Sequence, residues 1–124
     1  MATHSYNKVV LIGRLVRDPD VRVTSSGISL TRFTIAVDRI RKRDGQEGVT
    51  DFIRIVAWRR LAEICGSYLK KGKLVSIEGR LQLDSYTKEG QEIESAEVVA
   101  DNMSMLDWGV PDEQQGKEAV FEAT

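Results

Sequence analysis

The sequence has very few of the residues from which many enzymes and metal proteins build their sites. It contains one cysteine, Cys65, and one histidine, His4, among 124 residues. A single cysteine excludes an internal disulfide framework and a cysteine-rich zinc site, and it suits a reducing compartment. A single histidine near the N-terminus argues against histidine-based catalysis and metal binding. We find no nucleophile–base arrangement and no metal-ligand spacing, so the sequence predicts neither catalysis nor a cofactor.

Long apolar runs are also missing. No stretch approaches the roughly 18 residues that a transmembrane helix needs, and the N-terminal MATHSYNK lacks the apolar region of a secretory signal. The chain nevertheless has an apolar content of 41%, which is enough to form the core of one domain of ordinary size. These features favour a cytoplasmic protein with a single folded domain.

The formal net charge of −1 conceals an uneven distribution. Residues 1–106 contain 17 Lys and Arg against 14 Asp and Glu, which gives a net charge of +3. Residues 107–124 contain 1 Lys against 5 Asp and Glu, which gives −4. The second segment has no strand or helix period. We therefore predict a folded domain over residues 1–106 and a short, acidic, mobile tail over residues 107–124.

The body of the chain has the pattern of strands with one helix. β-branched or alternating apolar residues predict five strands, at 7–15, 28–37, 50–58, 74–86 and 92–105. Between the third and fourth strands, apolar residues recur at helical spacing and form one stripe of Leu61, Ile64, Cys65, Tyr68 and Leu69. Gly72 suits the position just after the end of this helix. This order is typical of an all-β protein with one helix, the five-stranded Greek-key OB-fold barrel.

The strand TDFIRIVAW, residues 50–58, is the most informative segment. Alternation gives it an apolar face and a mixed face, namely Ile53, Ile55 and Ala57 against Phe52, Arg54, Val56 and Trp58. Burying the mixed face would bury a guanidinium at a high energetic cost, so we expect that face to be exposed. Exposed aromatics interleaved with arginine suit the stacking of bases and the neutralisation of phosphates. The alternative is that Phe52 or Trp58 packs against another subunit or a loop.

Two other strands carry signals. On the strand at 74–86, the polar side includes Arg80, Asp84 and Tyr86, and the opposite side is formed by Val75, Ile77, Gly79, Leu81 and Leu83. A turn is predicted at Lys88-Glu89-Gly90. The run Val9–Ile12 is apolar on both faces, which predicts that another subunit covers the second face. Arg39, Arg41, Lys42 and Arg43 lie beside an Asp44-Gly45 turn, and by itself this short charge run favours a solvated loop over a binding site.

Together these segments resemble the bacterial-type single-stranded DNA-binding proteins. The similarity runs from about Asn7 to Leu106, in the expected order, through NKVVLIGRLVRDPDVR, FTIAVDR, TDFIRIVAWRRLAEICGSYLKKGKLVSIEGRL and EVVADNMSML. The resemblance implies the OB barrel. It also implies sequence-independent binding and protection of single-stranded DNA in replication, recombination and repair, with bases stacked on Phe52, Trp58 and Tyr86.

The resemblance further implies which basic residues contact phosphates. The positions that match the family's phosphate contacts are Lys8, Arg22, Arg54, Arg60 and Lys71. Further basic candidates are Arg14, Arg32, Arg41, Lys42 and Arg80. An aromatic that some relatives place just after the second strand is absent here, where Ile40 and Arg41 stand; an arginine plane can substitute for it.

The family typically forms homotetramers, joined in part through the first strand. That arrangement fits the apolar residues Val9, Val10, Leu11 and Ile12, and it implies a cytoplasmic, nucleoid-associated protein. Relatives usually carry an aspartate-rich tip that recruits replication and repair proteins. This chain ends EAVFEAT, so such partners are possible but are not expected to bind through that tip.

Three other interpretations remain open from the sequence. An OB-fold protein-interaction module, or a tail-less accessory paralogue with reduced DNA binding, would form normal oligomers without salt-sensitive oligonucleotide affinity. A hydrolase on the same scaffold would need the ligand cluster that the sequence lacks. A cold-shock-like RNA binder would also use aromatics, but its compact aromatic-rich motif is not found here.

Overall fold

The described part of the chain forms seven strands and one helix. Its structure, a computed structural model, describes residues 4–39 and 48–106, together with the backbone of residues 119–122. The elements are β1 Val9–Leu15, β2 Asp20–Val23, β3 Ser29–Asp38, β4 Thr50–Trp58, α1 Arg59–Tyr68, β5 Leu74–Lys88, β6 Gln91–Met105 and β7 Ala119–Glu122. β1, β3, β4, β5 and β6 correspond to the five predicted strands, and α1 to the predicted helix.

These five strands close into a barrel. Their order in the sheet is β1-β5-β6-β4-β3, and β1 also pairs with β3, at Arg14 with Ala36 and Leu15 with Ile35, which closes the ring. β4 and β6 run parallel, whereas the other barrel pairs are antiparallel. Since α1 lies between the third and fourth barrel strands, the predicted OB-fold is confirmed.

Strand alternation places the core inside this barrel. Fully buried side chains include Ile35, Ile55 and Ile77, and each such residue contributes roughly 1.5–3 kcal/mol through burial. From α1, Leu61 and Cys65 join the same cluster. Desolvation by burial raises the pKa of the Cys65 thiol to about 12, so this residue packs as a small hydrophobic group.

Three details of the predicted pattern are wrong. Val56 lies on the predicted exposed face of β4 but is buried, because Leu30 and Val99 form a second small cluster with it. Tyr68 belongs to the predicted apolar stripe but is exposed, since it is the last residue of α1. Gly72, with φ +92°, does not directly follow the helix. It lies in a later turn, where the N–H of Lys73 donates to the carbonyl of Lys70 at 3.1 Å.

β5 and β6 continue past the barrel as a two-stranded hairpin, and we call residues 82–96 the arm. The apolar side predicted for β5 is buried only as far as Gly79, and Leu81 and Leu83 are exposed. A β-bulge lies between Glu78 and Gly79, where a Cβ would overlap the carbonyl oxygen of Val99. At the tip, Glu89 and Gly90 have positive φ, as a two-residue hairpin turn requires, which confirms the predicted turn.

The structure adds a strand inside the segment predicted as a tail. The backbone of Ala119–Glu122 pairs antiparallel with Asn102–Met105 of β6, because that stretch of β6 offers backbone groups that need partners. This strand differs from the predicted irregular tail. The rest of residues 107–124 lies outside the described residues, as do the candidates Arg41 and Lys42. Across the described part of the chain, no helix is both long and apolar enough to cross a membrane.

Candidate nucleic-acid interface

The outer face of β4 presents two aromatic rings with a guanidinium between them, and we call Phe52, Arg54 and Trp58 the platform. β4 pairs with β3 at nine positions, from Thr50 opposite Asp38 to Trp58 opposite Leu30. Because the inner face of β4 is anchored in the core, the outward side chains hold fixed positions. The exposed fraction is 66% for Phe52 and 38% for Trp58.

The neighbours of the platform leave it accessible. Ala36 of β3 stands opposite Phe52, and Thr34 stands opposite Arg54. These side chains are short, so a flat ring approaching from solvent meets Phe52 and Arg54 first. Phe52 and Trp58 are six residues apart on one strand, which is a span of about 20 Å. The platform is therefore long enough for several nucleotides.

The turn from β4 into α1 fixes the position of Trp58. Trp58 keeps an extended backbone as the helix N-cap, with φ −122° and ψ 152°. The next residue, Arg59, has a positive φ of 60°, a strained conformation for a non-glycine residue that persists only when its surroundings impose it. Trp58 thus ends the platform at a defined place, with exposed Arg60 in the first turn of α1.

Two of the predicted phosphate-binding residues lie at the platform. Arg32 donates from Nε to Oε2 of Glu97 at 2.7 Å, across 65 residues of sequence. Arg54 makes no hydrogen bond or ion pair with any residue that the structure describes. Together with Arg17, both arginines line a depression of about 170 Å³, which Asp18 and Asp20 also line. The three guanidinium groups outnumber the two carboxylates, and the remaining positive charge beside the platform suits a phosphodiester backbone.

The other basic candidates are spread over the surface. Arg22 pairs with Asp20 at 3.2 Å on β2, and Arg80 lies 3.9 Å from Asp101. Lys71 is exposed in the turn that follows α1.

Two more of these candidates belong to the β1 side of the barrel. Arg14 donates to the carbonyl of Gly72 at 2.9 Å. Lys8 lies 3.7 Å from the carboxylate of Glu78. A hydrogen bond from Asn102 and the charge of Lys8 lower the pKa of Glu78. The structure therefore does not bring Lys8 and Arg14 to the platform.

Tyr86 stands on the arm rather than on the barrel. It is 51% exposed and sits opposite Ile93 of β6. On β5, alternation puts Asp84 on the same face as Tyr86. The third predicted stacking residue therefore has an acidic neighbour and a two-stranded support.

The first strand divides its apolar residues between two faces. Val9 and Leu11 pack against the core cluster. Val10 is 57% exposed and Ile12 is 53% exposed, and β5 places Glu78 and Ser76 opposite them. Of the four residues predicted to contact another subunit, the structure leaves Val10 and Ile12 facing outward.

Sequence reasoning missed Glu97. Its side chain is only 12% exposed, and it connects β6 to Arg32 of β3. No local pattern signals this pair, because the two residues meet only once the barrel closes. Among the described residues, no cluster of His, Cys, Asp and Glu is arranged to hold a metal ion.

Comparison with known proteins agrees with this geometry. The model of the single-strand binding protein family matches residues 6–106. A single-stranded DNA-binding protein of Thermotoga maritima is 47% identical over 105 residues, which cover 82% of this chain and 74% of that protein. Single-stranded DNA-binding protein 3 of Clostridium acetobutylicum is 46% identical over 105 residues, covering 83% and 72%. Single-stranded DNA-binding protein 1 of Staphylococcus aureus is 42% identical over 110 residues, covering 88% and 70%.

A solved structure with the same fold is a Plasmodium falciparum SSB complex with ssDNA. It matches with a TM-score of 0.75 and 24% sequence identity, and the match covers 100% of both chains. At this identity the likeness concerns the fold, which agrees with the barrel described above. Matched by the family model over residues 6–106 and by relatives above 40% identity, the chain belongs to the single-strand binding protein family.

Proposed function

We propose that this protein binds and protects single-stranded DNA without strong sequence preference and has no catalytic activity. Bases stack on Phe52, Trp58 and Tyr86, and phosphates are neutralised by basic side chains, with Arg54 and Arg32 nearest the platform. The relatives named as single-stranded DNA-binding proteins support this function. By the same reasoning, we place the protein in the cytoplasm, at the nucleoid, in replication, recombination and repair.

The observation that carries the proposal is the platform itself. Phe52 is two-thirds exposed on a strand whose inner face packs against the core. Leaving a large aromatic in water forgoes a burial free energy of roughly 1.5–3 kcal/mol, and here Arg54 stands beside it. Stacking is sequence-tolerant because every base has a π-face, and arginine can add a cation–π contribution.

Tryptophan fluorescence tests this function directly. Trp108 is the only other tryptophan, so a Trp108→Phe background makes the emission report on Trp58. We expect titration with a short thymidine oligonucleotide at low salt to quench this emission. Unchanged emission from a folded protein that also retains no oligonucleotide would instead favour the protein-interaction module.

Salt dependence tests the role of Arg54. For single strands, the slope of log K against log salt is about −0.7 for each phosphate neutralised. We expect Arg54→Gln to make this slope less steep by about 0.7, because Arg54 has no protein partner among the described residues. A slope equal to that of the wild type would remove Arg54 from the phosphate contacts.

We also propose that the protein is a homotetramer, with Val10 and Ile12 in one of its interfaces. Two β-branched side chains lie more than half exposed on a central barrel strand. Ser76, Glu78, Asn102 and Ser104 line a shallow depression beside Val10. Exposed apolar side chains on a regular strand are typical of an interface between subunits.

Sedimentation separates this interface from a simple loss of solubility. We expect Ile12→Asp to lower the sedimenting mass, because a carboxylate would be buried without a partner. The control is Val23→Asp, which changes a β-branched residue of β2 that is also more than half exposed, and it should leave the mass unchanged. A wild-type monomer would contradict the proposed assembly.

A further inference from the structure

The seam between β4 and β6 is closed near α1 and open at its other end. β4 and β6 pair at only two positions, Ile55 with Val98 and Val56 with Val99. Further along β6, β7 pairs with Asn102–Met105. In the other direction, residues 91–97 of β6 pair with β5 on one edge. Their second edge has no strand partner within the described part of the chain.

A cavity of about 400 Å³ lies at this open end. Its lining is mostly apolar and includes Val9, Leu11, Ile53 and Leu81. Phe52, Arg54 and Glu97 also line it. The volume falls within the range of about 300–1,000 Å³ that is usual for small-molecule sites, which are also mostly apolar with a few polar groups.

The two charged groups that line the cavity differ in their hydrogen-bond partners. Glu97 is nearly buried, and Arg32 holds one of its carboxylate oxygens at 2.7 Å. Arg54 has no hydrogen-bond or ion-pair partner among the described residues. The lining therefore combines a fixed acceptor with a donor that is available to a ligand.

The cavity is continuous with the platform, because Phe52 and Arg54 belong to both. A DNA strand that lies along β4 therefore brings successive bases to the opening. The apolar side chains of the lining suit the faces of a base, and Glu97 and Arg54 suit its hydrogen-bonding edge. A carboxylate acceptor favours the exocyclic amino groups of cytosine, adenine and guanine. Thymine lacks that group, and its ring N–H is flanked by two carbonyl oxygens.

The following inference rests on the proposed DNA-binding function. We infer that the open end of the seam binds one nucleobase, which enters with its hydrogen-bonding edge first. Its exocyclic amino group donates to Glu97, and a neighbouring ring nitrogen or carbonyl accepts from Arg54. The other bases stack on the surface of the platform. The protein thus has one amino-selective subsite within an otherwise sequence-tolerant site.

A cycle of two oligonucleotides and two proteins tests the subsite. The affinities of dC and dT oligomers of about eight nucleotides are measured for the wild type and for Glu97→Gln under the same conditions. We expect the substitution to lower the dC-to-dT affinity ratio about fivefold. An unchanged ratio in a folded variant that still binds dT would overturn the subsite.

Filling the cavity tests its location independently of the ion pair. Both leucines are exposed, but only Leu81 lines the cavity. Leu81→Trp therefore places a large ring against the cavity, and Leu83→Trp places the same ring two residues further along β5. We expect Leu81→Trp to lower the dC-to-dT ratio and Leu83→Trp to leave it unchanged. Equal ratios in these two variants would overturn the location. Failure of the folded wild type to bind either oligonucleotide would instead overturn the DNA-binding function on which the subsite rests.

Discussion

The two aromatic-bearing surfaces of this protein, the platform and the arm, offer the same stacking chemistry on very different supports. The platform is the outer side of a strand that pairs with β3 at nine positions and is anchored in the core. The arm has two strands that pair with each other, and its residues are exposed or half-buried. Phe52 and Trp58 are therefore positioned by the whole barrel, whereas Tyr86 depends on one hairpin.

The two surfaces also differ in charge. The platform includes Arg54 and lies beside Arg32. The arm contains four carboxylates and one lysine, a net charge of −3 within residues 82–96. On the proposed function, we expect a phosphate backbone to approach the first surface more favourably than the second. We expect an aromatic ring to contribute more to base stacking where its support is rigid and its surroundings attract phosphates. This predicts a larger contribution to binding from the platform than from the arm.

The largest effect on binding is expected from the exposed phenylalanine of the platform. Phe52→Ala removes a ring that is preorganised by the barrel, and we expect it to weaken oligonucleotide binding by about 2 kcal/mol. Because the ring is two-thirds exposed, thermal stability should change little. Fluorescence or anisotropy titration measures the affinity, and a melting curve checks the fold. A smaller loss of affinity than the one caused by Tyr86→Ala would contradict the proposed difference between the platform and the arm.

Substitution on the arm should have a smaller effect. We expect Tyr86→Ala to weaken binding by about 1 kcal/mol, at the lower end for a stacked base, because Tyr86 has an acidic neighbour and a two-stranded support. Tyr68→Ala is a matched control, since Tyr68 is 54% exposed and Tyr86 is 51% exposed, and Tyr68 lies on α1. Equal losses for both tyrosines would show that the effect is not specific to the arm.

Removing a charge from the arm should improve binding modestly. We expect Asp84→Asn to tighten binding about twofold at low salt, because it removes a negative charge from the face that carries Tyr86. The gain should disappear at high salt, since interactions between exposed charges are screened. Titrations at two salt concentrations measure this. A gain that persists at high salt would point to a contact other than electrostatic repulsion.

The smallest expected effect is on the stability of the fold, at the start of β4. Arg39 forms a double hydrogen bond with Asp51, from Nε and Nη2 at 3.1 Å each, and this lowers the pKa of Asp51. A lowered carboxylate pKa means that the pair stabilises the fold above the unfolded-state pKa. This contribution is lost as the pH falls through the lower folded-state pKa. Titration by NMR should show that Arg39→Gln raises the Asp51 pKa, and an unchanged value would contradict the pair.

The sequence predicts the platform well and the depth of burial less well. For β4, period-2 alternation correctly separates exposed Phe52 and Arg54 from buried Ile55, because every residue of a strand obeys the same alternation. The alternation is wrong for Val56, because Leu30 of β3 and Val99 of β6 pack with its side chain in a second small cluster. The prediction that Tyr68 is buried with the apolar stripe is wrong for a related reason. Tyr68 is the last residue of α1, and its side chain is exposed there.

On β5 the same alternation of side chains continues along the whole strand, but the strand extends beyond the barrel. Ile77 is buried and Leu83 is exposed, although both lie on one side of the strand. The distance at which β5 leaves the barrel depends on how far β1 pairs with it, and that pairing ends at Gly79. A pattern within one strand carries no information about the length of its neighbour.

The sequence by itself determined the five-strand order with its helix, the apolar face of the barrel, the family and the three aromatic candidates. These follow from local periodicity and from long stretches of similarity, which need no knowledge of packing. Only the tertiary structure decided that Phe52 and Tyr86 stand on unequal supports, that Arg32 is held by Glu97, and that the seam beside Phe52 is open. Each depends on which distant strands meet when the barrel closes, and hydrogen-bond pairing between strands settles that question.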